Sequence, residues 1–197
     1  MESQRADGVP TFYAKDLMAW RKWLADNHHQ IPSVWLIIFR KKSETPSVYY
    51  DEAVDEALCF GWIDSKPNKR DGESYYQYFS QRKAKSNWSR VNKEKIARLE
   101  QEGLLQAAGI AMIAEAKRLG TWTALDDVEN GVIPDDLQDA FAKFPGAETH
   151  FAAFPWSVRR GILEWIFNAK RPATRAKRIL ETAEKAAQNI RANQYRS

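Results

Sequence analysis

The sequence is poor in the residues from which metal and redox sites are built. A single cysteine, Cys59, excludes an intrachain disulfide and any multi-cysteine metal site. The three histidines, His28, His29 and His150, stand without the carboxylate spacing of a metal cage. A glycine-rich phosphate loop, a nucleophile elbow and a zinc-protease motif are also missing from the sequence. We therefore expect neither a metal nor another cofactor.

Long hydrophobic runs are missing as well. The longest unbroken apolar run is Val34–Phe39, six residues, whereas a helix needs about 20 to cross a bilayer. The first residues, MESQRADGVP, are polar and lack the apolar stretch of a secretory signal. Together with the single cysteine, these features predict a cytoplasmic protein.

The chain as a whole has no large excess of one charge sign, but its segments do. The net charge of +4 combines an acidic excess in residues 1–65 and 99–155 with a basic excess in residues 66–98 and 156–197. Such alternation fits pairing inside the protein as readily as a basic face for a partner. Tryptophan, by contrast, is abundant, with eight residues, and its large amphipathic ring often lines cores and pockets.

Hydrophobic spacing and turn residues predict an N-terminal part that mixes helices and strands. Residues 1–11 resemble a loose arm. The expected elements are a helix over 16–27, a buried strand over 34–39, a helix over 50–60 that ends at Gly61, and strands over 62–70 and 74–80. Asp71-Gly72 joins the last two strands as a hairpin, in a tight turn whose central residues both need positive φ.

After Lys85 the sequence pattern is helical to the end. Ser86 or Ser89 can cap the first of these helices, and Ser157 can cap a later one. A final helix from Thr174 to about Ile190 should turn Ile179, Leu180, Ala183, Ala187 and Ile190 inward. The predicted fold class is α+β, with a small antiparallel sheet of three or four strands covered by helices and a C-terminal all-helical unit. We place the domains at residues 1–128 and 129–197, the second packed on the first.

The segment from residue 57 to residue 92 gathers the candidate binding residues. Aromatic, hydroxyl and charged side chains converge there on one hairpin and one helix start, which is the composition of a ligand pocket. Free N–H groups and serine hydroxyls at the helix start also suit an anion. We predict a tryptophan-lined pocket for a small anionic or amphipathic ligand, formed by Trp62, Asp64, Ser65, Arg82, Ser86, Trp88, Ser89 and Asn92.

Asp64 is the best candidate for a catalytic residue, and whether the protein is an enzyme stays open. In strand alternation Asp64 shares a face with Trp62, so it could serve as a general acid or base. Arg82 and the N–H groups of 86–89 would then hold an oxyanion or phosphate. In the alternative, Asp64 binds backbone or pairs with Arg82 and has only a structural role.

A basic C-terminal helix offers a third possibility. Its positive residues are Lys170, Arg171, Arg175, Lys177 and Arg178. They could contact nucleic acid or an acidic protein partner, yet they alternate with glutamates and come without an aromatic ladder. A solvated face is the simpler interpretation, so nucleic acid is not the expected partner.

The chain resembles the YdeI/OmpD-associated family, whose members are also described as bacteriocin-protection proteins. The resemblance rests on ALCFGWIDS at 57–65, on SNWS at 86–89 with Asn92, on Gly120 and Trp122, and on the C-terminal stretch from Trp165 to Ile179. It extends from about Phe12 to Ile190. One departure is Gln81, where the family pattern has proline, and this change should loosen the strand exit while Arg82 is kept.

The resemblance implies a small bacterial protein linked to envelope stress or to tolerance of cationic antimicrobial peptides. It implies no settled enzymatic activity and no catalytic residues. Without a signal sequence, such a protein would protect the cell indirectly.

Overall fold

The computed structural model describes residues 7–193. These divide into two compact units between Thr123 and Ala124, a few residues before the expected boundary at 128. Among residues 7–193, no helix has both the length and the apolar character that crossing a bilayer requires.

Unit 1 has the predicted α+β character. Its elements are β1 (Thr11–Tyr13), α1 (Leu17–Asn27), β2 (Ser33–Phe39), α2 (Tyr50–Cys59), β3 (Trp62–Lys69), β4 (Ser74–Gln81), α3 (Arg90–Gln101) and α4 (Ala107–Arg118). The described part of the chain forms one four-stranded sheet in the order β1-β2-β4-β3. Strands β2, β3 and β4 pair antiparallel.

The sheet is mixed rather than purely antiparallel, because β1 pairs parallel to β2. Residues up to 11 were expected to form a loose arm, and that prediction is wrong for Thr11, which is buried and opens β1. A strand of three residues is too short to show an alternating pattern, so its pairing partner decides its structure.

The turn between β3 and β4 differs from the predicted tight turn. Gly72 does not have positive φ. Instead, the Asp71 side chain accepts hydrogen bonds from the backbone N–H groups of Glu73 and Ser74, at 2.9 and 2.7 Å, and from the Ser74 hydroxyl. The carboxylate therefore holds the loop together, in the manner of an Asx-turn.

The core of unit 1 lies where α1 meets one face of the sheet. Trp20 and Trp23 stack with ring centroids 5.2 Å apart, and Phe12 of β1 stacks on both. Phe79 contacts Trp20 from β4, and the edge of Trp62 meets Trp23. Trp20 and Trp23, three residues apart, therefore lie on the same side of α1 and form its contact with the sheet.

Helix α4 packs unusually close to the C-terminal end of α2. A Cβ atom on Gly109 would lie 2.9 Å from the carbonyl carbon of Cys59, so only glycine fits at this crossing. Gly61, which ends α2 with φ +73°, would place a Cβ 3.1 Å from the carbonyl oxygen of Ala108. The backbone N–H of Gln106 donates to the Cys59 carbonyl across the same contact.

Cys59 lies buried at this helix crossing. Desolvation by its apolar surroundings raises the pKa of the thiol to about 11. The thiol therefore stays protonated at neutral pH and lacks the thiolate character of a reactive cysteine.

Among the described residues of unit 2, all regular secondary structure is helical. It contains α5 (Asp126–Asn130), α6 (Asp135–Phe141), α7 (Ala147–Ala153), α8 (Trp156–Phe167) and α9 (Pro172–Ala187). Its core includes Leu137, Phe141, Phe151, Ile162, Leu163, Ile166, Ile179 and Ala183. Beside this core, Arg160 binds the buried carboxylate of Glu129 through two hydrogen bonds of 3.1 and 2.7 Å.

Two expectations for unit 2 are wrong. Ser157 does not cap α8, because the helix begins at Trp156 with Pro155 in the capping position. Leu180 and Ile190 do not point inward and are about half exposed, at 48% and 49%. Helix α9 ends at Ala187, so Ile190 lies beyond its last turn, and Leu180 follows the buried Ile179 on the adjacent, outward position.

The crossing of α2 and α4 gives the first testable prediction. Gly109→Ala should destabilise unit 1 by about 2 kcal/mol or more, since the added methyl overlaps the Cys59 carbonyl group. Denaturant unfolding followed by tryptophan fluorescence measures this change, as unit 1 holds six of the eight tryptophans.

Gly161 provides the matched control. It is also helical, in α8, but a Cβ there would meet no atom within 4 Å. Gly161→Ala should therefore stabilise unit 2 by about 1 kcal/mol through helix propensity alone. Equal effects of the two substitutions would contradict the close-packing account.

Candidate functional site

Trp62 occupies the first position of β3, directly after the glycine that ends α2. It is 1% exposed, and its indole Nε1 donates to the His28 carbonyl at the end of α1, at 3.2 Å. The indole therefore ties the end of α1 to the start of the hairpin, as buried tryptophan N–H groups usually find a partner.

Arg82 follows the last residue of β4. Its guanidinium is buried, and not all of its N–H groups have hydrogen-bond partners. Nη2 donates to the Asn87 carbonyl at 2.7 Å, and the guanidinium carbon lies 3.7 Å from the centroid of the Trp88 ring. Nε has no hydrogen-bond partner among the described atoms. Desolvation lowers the pKa of Arg82 to about 10, only partly opposed by the charge of Asp64.

A cavity of about 230 Å³ lies beside Arg82. Its lining comes from the end of α1, the end of α2, the strand exit and the start of α4. The lining residues are His28, His29, Phe60, Gly61, Trp62, Gln81, Arg82, Ala108 and Met112. Helix α4 begins next to the cavity, and Ala108 in its first turn is part of the lining. The side chain of Gln106, the residue before this helix, makes no capping hydrogen bond to its N–H groups. Helix starts of this kind favour negative charge.

Gln81 does not loosen the strand exit, contrary to expectation. Its backbone N–H donates to the Pro32 carbonyl at 3.0 Å, a bond that proline could not make. Its side-chain Nε2 donates to the His28 carbonyl at 2.8 Å. Gln81 therefore fastens the end of β4 to the segment between α1 and β2.

Asp64 lies apart from the cavity and pairs with neutral donors. The Tyr50 hydroxyl donates to its Oδ2 at 2.8 Å and Gln77 Nε2 donates to the same oxygen at 3.3 Å. The suggested ion pair with Arg82 is not formed, because Arg82 donates to a backbone carbonyl instead. These contacts give Asp64 a structural role that links α2 to the sheet, and a catalytic role stays a prediction.

The other predicted residues are distributed along the hairpin edge and the approach to α3. Ser65 is exposed on the edge strand, while Trp88 is buried beneath Arg82 and contacts Trp122. The Ser86 hydroxyl donates to the Lys83 carbonyl at 2.7 Å. Ser89 caps α3 by accepting from the N–H of Asn92, so this capping bond is internal rather than directed at a ligand.

The structure therefore brings together only part of the predicted set. Trp62 and Arg82 line one cavity, with Trp88 packed behind Arg82. Sequence reasoning missed His28, His29 and the start of α4 at Ala108 as parts of this cavity. No local spacing links the two histidines to Ala108, because the end of α1 and the start of α4 come together only in the folded protein.

The basic helix is partly engaged within unit 2. Arg175 binds Asp136 through hydrogen bonds of 2.6 and 2.8 Å. Arg178 donates to the Trp165 carbonyl, and its guanidinium lies over the Trp165 ring. Lys170, Arg171 and Lys177 are exposed. The helix therefore offers a smaller basic surface than its sequence indicates.

In the part of the chain that the structure describes, no group of three or more His, Cys, Asp or Glu side chains is placed to hold a metal ion.

Two family models match the chain, one in each unit. The model described as a domain of unknown function (DUF8412) matches residues 12–112, just over half of the chain. The chain belongs to the DUF8412 family. The model described as bacteriocin-protection, YdeI or OmpD-associated (OmdA) matches residues 130–189. No curated protein and no solved structure matches the chain.

The YdeI/OmpD-associated resemblance is therefore confirmed for the C-terminal domain. That model does not extend over residues 57–92, where the most specific motifs of the resemblance lie. The cavity beside Arg82 falls instead within the DUF8412 domain. The chain thus combines a match to a domain of unknown function in unit 1 with a match to the OmdA model in unit 2.

The contact between Tyr50 and Asp64 yields the second testable prediction. Burial and the hydrogen bond to Asp64 both raise the pKa of Tyr50. Asp64→Asn removes the carboxylate but not the burial, so the pKa of Tyr50 should fall while staying above its ordinary value of 10. The NMR resonance of the Tyr50 ring carbon Cζ, followed against pH and assigned with Tyr50→Phe, measures this change.

The same contact should affect stability at high pH. The folded protein keeps Tyr50 protonated after the unfolded chain has begun to lose that proton, so its contribution to stability is lost as pH rises above 10. Asp64→Asn should reduce this pH dependence. An unchanged Tyr50 titration in the variant would contradict the proposed contact.

Proposed function

We propose that the DUF8412 domain binds a small anion, with a carboxylate or phosphate group, in the cavity beside Arg82. One observation carries the proposal: Arg82 is 5% exposed, forms no ion pair with any described side chain, and leaves Nε without a hydrogen-bond partner. A buried charge without a counter-charge is costly. An anion in the adjacent cavity would supply that counter-charge.

The surroundings of Arg82 support an anion rather than a cation or a neutral ligand. The first turn of α4 borders the cavity, and the positive end of a helix dipole attracts negative charge. His29, which also lines the cavity, adds an imidazole that can donate a hydrogen bond to oxygen. The lining residues include no carboxylate, so a bound anion meets no full negative charge there.

The size and walls of the cavity narrow the choice of anion. At about 230 Å³, it falls below the roughly 300 Å³ at which drug-sized ligand pockets begin. Phe60, Trp62 and Met112 give it an apolar side. We therefore expect inorganic phosphate or a short carboxylic acid with a small apolar part.

Trp88 prepares Arg82 for binding. Its ring lies against the guanidinium and is itself packed on Trp122, with ring centroids 5.0 Å apart. Stacking on one face leaves the in-plane N–H groups of arginine for hydrogen bonds, and a fixed guanidinium loses little entropy when an anion binds.

The third testable prediction concerns Arg82→Met. Anions that bind the wild-type protein should raise its Tm, and a ligand at about 100 times its Kd adds about 2.7 kcal/mol of stability. In Arg82→Met that increase should vanish. The ligand-free variant should differ from wild type by less than about 1 kcal/mol, because the substitution removes a buried unpaired charge as well as its contacts.

Thermal unfolding with phosphate, acetate, butyrate and benzoate tests this prediction. Arg118→Met is the matched control: Arg118 belongs to the same helix as Ala108 but lies ten residues further, about 15 Å along the axis, and pairs with Glu115. This control should keep the full anion effect. Arg82→Lys, which keeps the charge without the planar fork, should bind more weakly than wild type.

The pH dependence of binding gives an independent measurement. Because the pKa of Arg82 is lowered to about 10, the affinity for an anion should fall as pH rises through that value. Stabilisation that is equal in wild type and Arg82→Met, or absent for every anion, would overturn the proposal.

For the biological setting, we propose a cytoplasmic protein that contributes to tolerance of envelope stress or antimicrobial peptides. The match of residues 130–189 to the bacteriocin-protection description supports this setting. A strain that lacks the gene should become more sensitive to a cationic peptide and should recover with the wild-type gene. Recovery with Arg82→Met as well would separate this role from anion binding, and unchanged sensitivity of the deletion strain would count against the role itself.

A further inference from the structure

A second and larger cavity opens in unit 1 between the end of β2 and the start of α2. Its volume is about 800 Å³, within the roughly 300–1,000 Å³ of ligand pockets. The cavity combines aromatic side chains with charges of both signs. Its lining residues are Ile38, Phe39, Arg40, Lys41, Tyr49, Tyr50, Asp51, Glu52 and Tyr75.

The charges of this cavity are separated by element. Arg40 and Lys41 follow β2, whereas Asp51 and Glu52 lie in the first turn of α2. Glu52 is engaged, because it accepts from the Tyr49 N–H at 3.0 Å. Arg40 and Asp51 form no ion pair with each other or with another described side chain. Arg40 and Asp51 thus remain available to a ligand.

Tyr75 lines the cavity together with Arg40 and Asp51. The pKa of its hydroxyl is raised, and burial is the largest cause. The charge of Arg40 lowers this pKa, and the charge of Asp51 raises it. The two charges therefore act on the Tyr75 hydroxyl in opposite directions. The Tyr75 side chain is half-buried, and it contributes an aromatic ring to the cavity lining.

The aromatic side chains provide a surface for an apolar or aromatic group. Tyr49 and Tyr50 are 42% and 41% exposed, which is unusual for large rings and leaves part of each available for contact. Tyr50 is held in place by its hydrogen bond to Asp64. The ring of Phe39 lies beneath the guanidinium of Arg70.

We propose that this cavity binds a short peptide with a free ammonium group and a free carboxylate. The ammonium group would pair with Asp51, and the carboxylate would pair with Arg40 and Lys41. A simple anion would meet the repulsion of Asp51 and Glu52, and a simple cation would meet that of Arg40 and Lys41. A zwitterion satisfies both sides, and an aromatic side chain would rest against Tyr50 and Tyr75.

An NMR titration with the tripeptide Ala-Phe-Ala tests the proposal. Amide resonances of residues 49–52 and of Tyr75 should shift, with a Kd of about 1 mM or tighter. Ala-Phe-Ala with an acetylated N-terminus and an amidated C-terminus should bind at least about tenfold more weakly, since it lacks both charges. Salt should weaken binding of the free peptide but not of the blocked one.

Variants of the lining residues give the matched comparison. Arg40→Gln and Asp51→Asn should each weaken binding of the free peptide about fivefold, the effect of one partly exposed ion pair. Lys42→Gln and Glu44→Gln remove the same charges from exposed neighbours outside the lining and should change nothing. All four positions are exposed, so the variants should fold.

Arg82→Met separates this inference from the anion proposal, because the peptide should bind that variant as it binds wild type. Three results would overturn the peptide site: equal binding of free and blocked peptide, shifts confined to the Arg82 cavity, or no shift up to about 10 mM peptide.

Discussion

The close approach of α4 to the end of α2 is the constraint on which the cavity beside Arg82 depends. Gly109 allows the start of α4 to reach the carbonyl group of Cys59, and Gly61 allows β3 to begin in the space that remains. The N–H of Arg82 then donates to the Gly61 carbonyl at 3.0 Å. A helix start, a strand start and a strand exit are thereby held within one hydrogen-bonded junction. Larger side chains at either glycine would move the helix and open that junction.

The described part of unit 1 contains two buried charged residues, Glu56 and Arg82, and their partners differ. Glu56 is 4% exposed, and Arg21 binds its carboxylate at 2.6 Å. Burial raises the pKa of Glu56 and Arg21 opposes that change, so the charge is compensated inside the fold. Arg82 is buried to a similar degree but finds only a carbonyl and a ring. Among the described side chains, the fold therefore supplies an ion-pair partner for Glu56 but none for Arg82.

Local signals in the sequence were sufficient for most of the helices and strands but not for the site. Asp16 caps α1, and Gly61 ends α2, because capping chemistry acts over a few residues. Strand β1, the Asx-turn at Asp71 and the arrangement around His28 depend on partners that the sequence places elsewhere. Trp62 and Arg82 were recognised by their residue types. Asp64 was grouped with them because strand alternation places it on the same face as Trp62. The alternation cannot show that the Tyr50 hydroxyl, which is distant in sequence, donates to the Asp64 carboxylate.

The buried position of Cys59 gives the molecule an internal reporter of its own opening. Its thiol lies at the crossing of α2 and α4, is fully covered, and has a raised pKa of about 11. A thiol reagent can therefore react only when that crossing separates. The chain has one cysteine, so every modification would report the same opening. The rate of modification would therefore measure how readily the junction beside the Arg82 cavity opens. Occupancy of the cavity would be read directly as slower modification.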